Sequence, residues 1–131
     1  GGDSLQGTPL MRRWMQRGAQ GANPAAIAFN ALGIDAYTLG NHDFNFGRRV
    51  LAGYLADMDA PCVCANVMDE RGELPIVPWV VRARGNGLAV GITGVVTDHV
   101  NVWERPENLE DIVVGDTMEA ARRMARACGD V

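Results

Sequence analysis

The chain has 131 residues, enough for one hydrophobic core of ordinary size. Hydrophobic residues make up 47% and charged residues 21%, which excludes an intrinsically disordered chain. All 12 basic residues are arginine and the net charge is −4, so the chain carries no basic footprint for duplex nucleic acid. A small anionic substrate would need a local positive centre, which a metal ion can supply. Neither an apolar stretch of membrane-spanning length nor a leader pattern is read in this sequence.

Thr8-Pro9 is a helix start, an N-cap followed by proline in the first turn. Leu10, Met11, Trp14 and Met15 recur on one face of that helix, with Arg12, Arg13 and Arg17 opposite, and Gly18 and Gly21 break it. Asn23-Pro24 repeats the start signal. The spacing predicts a buried stripe of Ile27, Ala28, Ala31 and Leu32, ending at Gly33. Ile34 to Leu39 reads as a strand, and Arg48 to Met58 as a helix with Val50, Leu51, Tyr54 and Leu55 inward. Pro61 ends it, and Cys62 to Val67 is the next strand. Helix-to-strand steps in succession predict parallel pairing under helical cover.

The texture then changes. Asp69-Glu70-Arg71-Gly72 and Arg84-Gly85-Asn86-Gly87 are turns that bracket a strand, Ile76 to Ala83, and Leu88 to Val96 is a strongly apolar strand. Such tight turns favour antiparallel hairpins. Leu88 to Val96 and Cys62 to Val67 are expected to be central strands. Asp98 to Ile112 is a long irregular stretch holding His99, Trp103 and Pro106, and long loops in compact domains usually serve function. Asp116 or Thr117 caps a last helix with Met118, Ala121, Met124 and Ala125 inward, and Cys128-Gly129-Asp130-Val131 reads as the start of a further strand. The layout predicts an α/β fold: half-sheets of a four-layer αββα sandwich, incomplete at both ends. The odd count of cysteines is no disulfide framework. Cys62 and Cys64 alternate on a strand and are expected as small buried thiols.

One stretch organises the rest: Thr38-Leu39-Gly40-Asn41-His42-Asp43-Phe44-Asn45-Phe46-Gly47. An apolar run ends at Gly40, and an amide, an imidazole and a carboxylate follow at the strand's carboxyl end, where open α/β sheets place their ligands. Phe44 and Phe46 alternate with polar neighbours and are expected to pack down together, with Asn45 facing elsewhere. Gly47 releases the chain into its helix. Gly, Asn and Asp are also ordinary turn residues, so this stretch is read together with Gly1-Gly2-Asp3-Ser4-Leu5-Gln6-Gly7-Thr8-Pro9.

The G-D-x-x-Q-G pattern followed by G-N-H-D-F-N-F-G resembles the calcineurin-like metallophosphoesterases, in particular their 5′-nucleotidase and 2′,3′-cyclic-nucleotide 2′-phosphodiesterase branch. Ala65-Asn66-Val67 resembles that branch's N-A-N-V strand. Val102-Trp103-Glu104 with Asn108-Leu109-Glu110 looks like the V-W-[D/E]…N-L-E segment of its cyclic phosphodiesterases. The resemblance implies hydrolysis of nucleotide phosphate esters with two divalent metal ions (Zn, Mn, Fe or similar). It implies Asp3 as the bridging ligand, Asn41 as a ligand of the second metal, and His42 as the catalytic residue that is not a ligand. The chemistry fits: two cations acidify a water and clamp the phosphate, and a carboxylate can face both. His42, next to Asn41 but diverging from it, would reach the phosphate or the leaving oxygen.

The 5′-nucleotidase pattern has Asp three residues after the histidine. Asn45 here matches the 2′,3′-cyclic phosphodiesterase type and tilts the substrate expectation toward a cyclic nucleotide. Asn45 is expected to orient His42, with Asp43 sharing that role. His99 is read as a loop residue. The D-x-H, lone His and G-H-x-H motifs of the family are absent, since His42 and His99 are the only histidines. The chain is therefore expected to be an internal piece of one catalytic domain, inactive alone, with the remainder upstream and downstream. An extracytoplasmic location is implied for the intact protein. A 5′-nucleotidase or other phosphomonoesterase, and a non-enzymatic binding domain that kept the fold, are the alternatives.

Overall fold

The computed structural model of the chain describes residues 1–83, 85 and 87–129, without the side chains of residues 128 and 129. The expected Arg84-Gly85-Asn86-Gly87 turn and the thiol of Cys128 therefore lie wholly or partly outside the described residues.

Helix α1 spans Pro9–Gln16, and Thr8 Oγ1 accepts from Met11 N at 3.2 Å. Met11 is buried, Trp14 and Met15 are half-buried against the core, and Leu10 is exposed. Helix α2 spans Pro24–Leu32, capped by Asn23 Oδ1 accepting from Ala25 N at 2.8 Å and closed by Gly33 at φ +62°. Its inward face differs from the expected stripe: Ala26 is buried and Phe29 half-buried, while Ile27 is 58% exposed and Leu32 still more so. Polar stitching decides the rotation. Asn23 N donates to Asp57 Oδ2 at 2.7 Å, Asn30 Nδ2 donates to Asp57 O at 2.8 Å, and Asn30 Oδ1 accepts from Asp59 N at 3.0 Å. Unmet, these groups would cost more than an exposed isoleucine does.

Helix α3, Gly47–Asp57, buries Val50, Leu51, Tyr54 and Leu55 as the spacing predicts, and Tyr54 meets Tyr37 edge-on with centroids 5.6 Å apart. Strand β1 is Cys62–Val63, β2 Val67–Asp69, β3 Ile76–Val77, β4 Trp79–Ala83 and β5 Ala89–Thr93. Two short helices follow, α4 at Val100–Trp103 and α5 at Pro106–Leu109, then β6 at Ile112–Val114 and α6 at Thr117–Gly129. β1 is central to a parallel arrangement: Val63 N donates to Tyr37 O at 2.7 Å on one side, and Cys64 N donates to Val77 O at 2.9 Å on the other. The expected Ile34–Leu39 strand keeps only the bridge at Tyr37. Pro78 has no N–H and splits the expected Ile76–Ala83 strand into β3 and β4.

β2 pairs antiparallel with β6, a strand that begins at Ile112, the last residue of the expected loop, and was not itself expected. β4 and β5 pair antiparallel, but the hairpin is not central: Val81, Leu88 and Val90 are exposed. Trp79 ties it to a small cluster of Ala65, Ala120 and Met124. The inward face of α6 is Ala120 and Met124, with Met118 and Ala125 outward. Its first turn sets that rotation, because Thr117 Oγ1 donates to Val96 O at 2.9 Å and accepts from Asp98 N at 3.1 Å. Cys128 and Gly129 end this helix, where a further strand was expected to begin; Asp130 and Val131 lie outside the described residues.

Two buried polar devices hold the halves together. Asn66 donates through Nδ2 to Val96 O (2.7 Å) and Gly115 O (2.9 Å) and accepts from Val96 N (3.0 Å). Arg48 forms a forked pair with Asp69, at 2.5 and 2.9 Å, and also reaches Glu73 at 3.0 Å. Cys62 and Cys64 are free and buried, and burial pushes the Cys62 thiol up to about 12.

Candidate active site

Leu39 carries the chain into the core, and Asn41–Phe44 turn back as one 3₁₀ helix. This tight turn, unlike an extended strand, does not alternate sides. Phe44 is fully buried while Phe46 is exposed, so the expected paired packing of both rings does not occur.

Asp43 builds the site's floor. It is 1% exposed, and its carboxylate accepts four main-chain bonds: Oδ1 from Ser4 N (2.7 Å) and Leu5 N (3.0 Å), Oδ2 from Asp3 N (2.9 Å) and Gly40 N (2.9 Å). Burial pushes this carboxyl up, and the amides of Gly40, Leu5, Asp3 and Ser4 pull against it. The expected role beside the imidazole is corrected here: all four bonds go to the main chain, so Asp43 shapes the loop that carries His42 and leaves the ring to another group. The clamp draws two segments 38 to 40 residues apart in sequence into contact.

Asp3 stands on that clamp with φ +65°, a left-handed backbone rarely held by a residue other than glycine. Strain of this kind persists where the surroundings over-determine it, as at functional sites. Its exposed carboxylate accepts from His42 N at 2.9 Å through Oδ1. A side chain at position 40 could not coexist with this arrangement, since a Cβ there would fall 2.2 Å from Asp3 Oδ1. Glycine is thus required by close approach.

His42 is exposed, and its Nδ1 lies 2.8 Å from Asn45 Oδ1. Asn45 Nδ2 donates to Glu104 Oε2 across 59 positions of sequence. The other Glu104 oxygen accepts from Asn108 Nδ2 (2.8 Å) and Arg105 N (2.8 Å), and Asn108 Nδ2 also donates to Asn45 O (3.0 Å). A cleft of about 520 Å³ opens before this row, lined by Gln6, Asn41, His42, Phe46, Trp103 and Glu104 among others. Trp103 is 63% exposed at its wall, with the His99 ring 5.2 Å behind it. Glu104, Asn108 and Trp103 were not predicted as site residues. The only signal for them was the V-W-E…N-L-E segment, which carries no roles by itself.

Asp3 and Asn41 carry hard oxygen donors, the kind that a divalent cation takes, on the two segments that the clamp joins. Among the described residues no group of three or more His, Cys, Asp or Glu gathers to hold a metal ion. Two oxygen donors by themselves do not complete a metal site. An imidazole at the mouth of a cleft, with a carboxylate on its main-chain N–H just past the Tyr37 bridge, is an arrangement that can serve hydrolysis of a phosphate ester.

The sequence is 34% identical over 92% of the chain to the trifunctional nucleotide phosphoesterase YfkN of Bacillus subtilis, of which it covers 9%. It is 30% identical over 93% of the chain to the 2′,3′-cyclic-nucleotide 2′-phosphodiesterase/3′-nucleotidase of Salmonella typhimurium, of which it covers 21%. The crystal structure of the calcineurin-like phosphoesterase YfkN from Bacillus subtilis superposes on 98% of the chain and 43% of its own, with TM-score 0.81 and 32% identity. No family model matches. The chain belongs to the calcineurin-like phosphoesterases. Within them, its relatives are the 5′-nucleotidases and the 2′,3′-cyclic-nucleotide phosphodiesterases. It spans about a tenth to a fifth of the length of these curated relatives.

Proposed function

We propose that the protein hydrolyses nucleotide phosphate esters, and that its substrate is a 2′,3′-cyclic nucleotide opened at the 2′ oxygen, with the 3′-nucleotide as a further substrate. The observation that carries this reading is the row His42–Asn45–Glu104 beside Asp3 and Asn41. An amide stands at the position next to His42 where the 5′-nucleotidase pattern has a carboxylate. Relatives named for the cyclic phosphodiesterase activity support the same substrate class.

Asp3 and Asn41 would hold divalent ions, which supply an activated water and offset phosphoryl charge when bound. Nδ1–H donating to Asn45 leaves Nε2 free to take up a proton, and in that protonated form His42 would hold a phosphoryl oxygen or hand the proton to the leaving oxygen. Trp103 offers a ring on which a base can stack at the cleft wall. Phe46 and Gln6 also line this cleft. Substrates outside the cytoplasm would suit such a nucleotide scavenger, and an extracytoplasmic location is part of the proposal.

The test compares 2′,3′-cyclic AMP, 3′-AMP and 5′-AMP with the intact protein in Mn²⁺. The cyclic substrate should give the highest kcat/KM. His42→Ala should leave metal content unchanged and lower kcat a hundredfold or more, the usual cost of losing such a group. Asp3→Asn should lower metal occupancy. Preference for 5′-AMP would move the protein to the 5′-nucleotidases, and no hydrolysis of any of the three would leave it a binding domain.

A further inference from the structure

We propose that Glu104 is the positioning residue that selects the tautomer of His42, acting through the side-chain amide of Asn45. A carboxylate only accepts hydrogen bonds. Glu104 Oε1 is taken by Asn108 Nδ2 and Arg105 N, and Oε2 faces the Asn45 side chain. The amide must therefore present Nδ2 to Glu104, because a flipped amide would set oxygen against oxygen. Its Oδ1 is then fixed 2.8 Å from His42 Nδ1. An amide oxygen cannot donate, so Nδ1 carries the hydrogen, and Nε2 is the nitrogen turned toward the cleft. A free Asn45 amide would fit either imidazole tautomer by rotating half a turn. Glu104 removes that freedom.

Two further contacts make the row rigid. Asn108 Nδ2 donates to Asn45 O as well as to Glu104, so main chain and side chain of residue 45 are held from one place. Burial alone would raise the Glu104 carboxyl, but donations from Arg105 N, Asn108 and Asn45 and the nearby Arg105 charge bring it below the usual range, so it stays an acceptor at neutral pH. The Asn45–Glu104 pair therefore supplies by relay what one carboxylate beside a catalytic histidine supplies directly: one tautomer and one ring orientation. The tautomer assignment stands on this geometry; only its consequence for turnover rests on the function proposed above.

The test reads the ring directly. In intact, metal-free protein carrying ¹⁵N-histidine, the His42 signals are assigned by their loss in His42→Gln, and proton–nitrogen coupling shows which nitrogen bears hydrogen. The native protein should show Nδ1–H alone, and Glu104→Ala should show a mixture with Nε2–H. The swap Asn45→Asp/Glu104→Gln reverses the Asn45–Glu104 bond yet keeps an acceptor facing Nδ1, so it should restore pure Nδ1–H at nearly native side-chain volume. With 2′,3′-cyclic AMP and Mn²⁺, Glu104→Ala should lose about a hundredfold in kcat with KM little changed, and the swap should recover most of it. Pure Nδ1–H in Glu104→Ala would overturn the proposal, as would an Nε2–H tautomer in the swap. The tautomer results stand whether or not the cyclic nucleotide is hydrolysed, so the two readings fail separately.

Discussion

Replacing Asp43 by Asn changes one atom's worth of chemistry at the floor of the site. The native carboxylate takes two amides on each oxygen: Ser4 and Leu5 on Oδ1, Asp3 and Gly40 on Oδ2. Whichever way the new amide turns, its NH₂ meets two N–H donors and strips them of their acceptor. A buried polar group left unpaired costs about 1–3 kcal/mol, so two cost about 2–6 kcal/mol. That is a large part of the roughly 5–15 kcal/mol that holds a domain together. The damage falls on the join between residues 3–5 and Gly40, which carries both Asp3 and His42. Amide hydrogen exchange read by mass spectrometry should therefore show peptides covering 1–8 and 38–46 losing protection by at least about thirtyfold, at 1.36 kcal/mol per decade. Peptides from β4 and β5 should be unaffected. Protection within threefold of native in both segments would refute the reasoning, because it would mean that these amides find other partners at no cost.

Further outcomes follow from the same geometry. The Arg48 guanidinium holds the Asp69 carboxyl well below the usual carboxylate range, against burial and with help from the amides of Leu74, Glu73 and Arg71. Since the folded value lies below the unfolded one of about 3.9, this stabilisation is complete above that value and is lost as pH falls below it. Asp69→Asn should lower the urea midpoint at pH 7 and flatten its fall between pH 5 and pH 2; an equally steep fall would place the acid sensitivity elsewhere. Cys62, with its thiol pushed up to about 12, should resist iodoacetamide at pH 8 in the folded protein and react in urea, as peptide mapping would show. Prompt native labelling would mean that the β1 region opens. Trp103→Ala should raise KM for 2′,3′-cyclic AMP by roughly tenfold, within the range for stacking one base. It should not affect a cyclic phosphodiester that lacks a base, and equal losses on both would remove Trp103 from base recognition.

Features governed by neighbours a few positions away are legible in the sequence. Thr8-Pro9 and Asn23-Pro24 start helices because cap and first turn are local chemistry, and the inward face of α3 follows from apolar spacing alone. The closeness of Asp3, His42 and Asn45 also follows from reading the two motifs together. What the tertiary structure decided are the partners of groups whose bonds cross the chain. Asp43 read as a neighbour of His42, but amides some 40 positions away claim it, because a fully buried carboxylate goes where donors converge. The rotation of α2 was set by Asn23 and Asn30 reaching Asp57 and Asp59, and no apolar periodicity records that demand. Asn45 could be seen beside His42, but not Glu104 behind it. Those two positions lie 59 apart, and only the folding of α4 and α5 over the 3₁₀ turn brings a carboxylate to the far side of the amide.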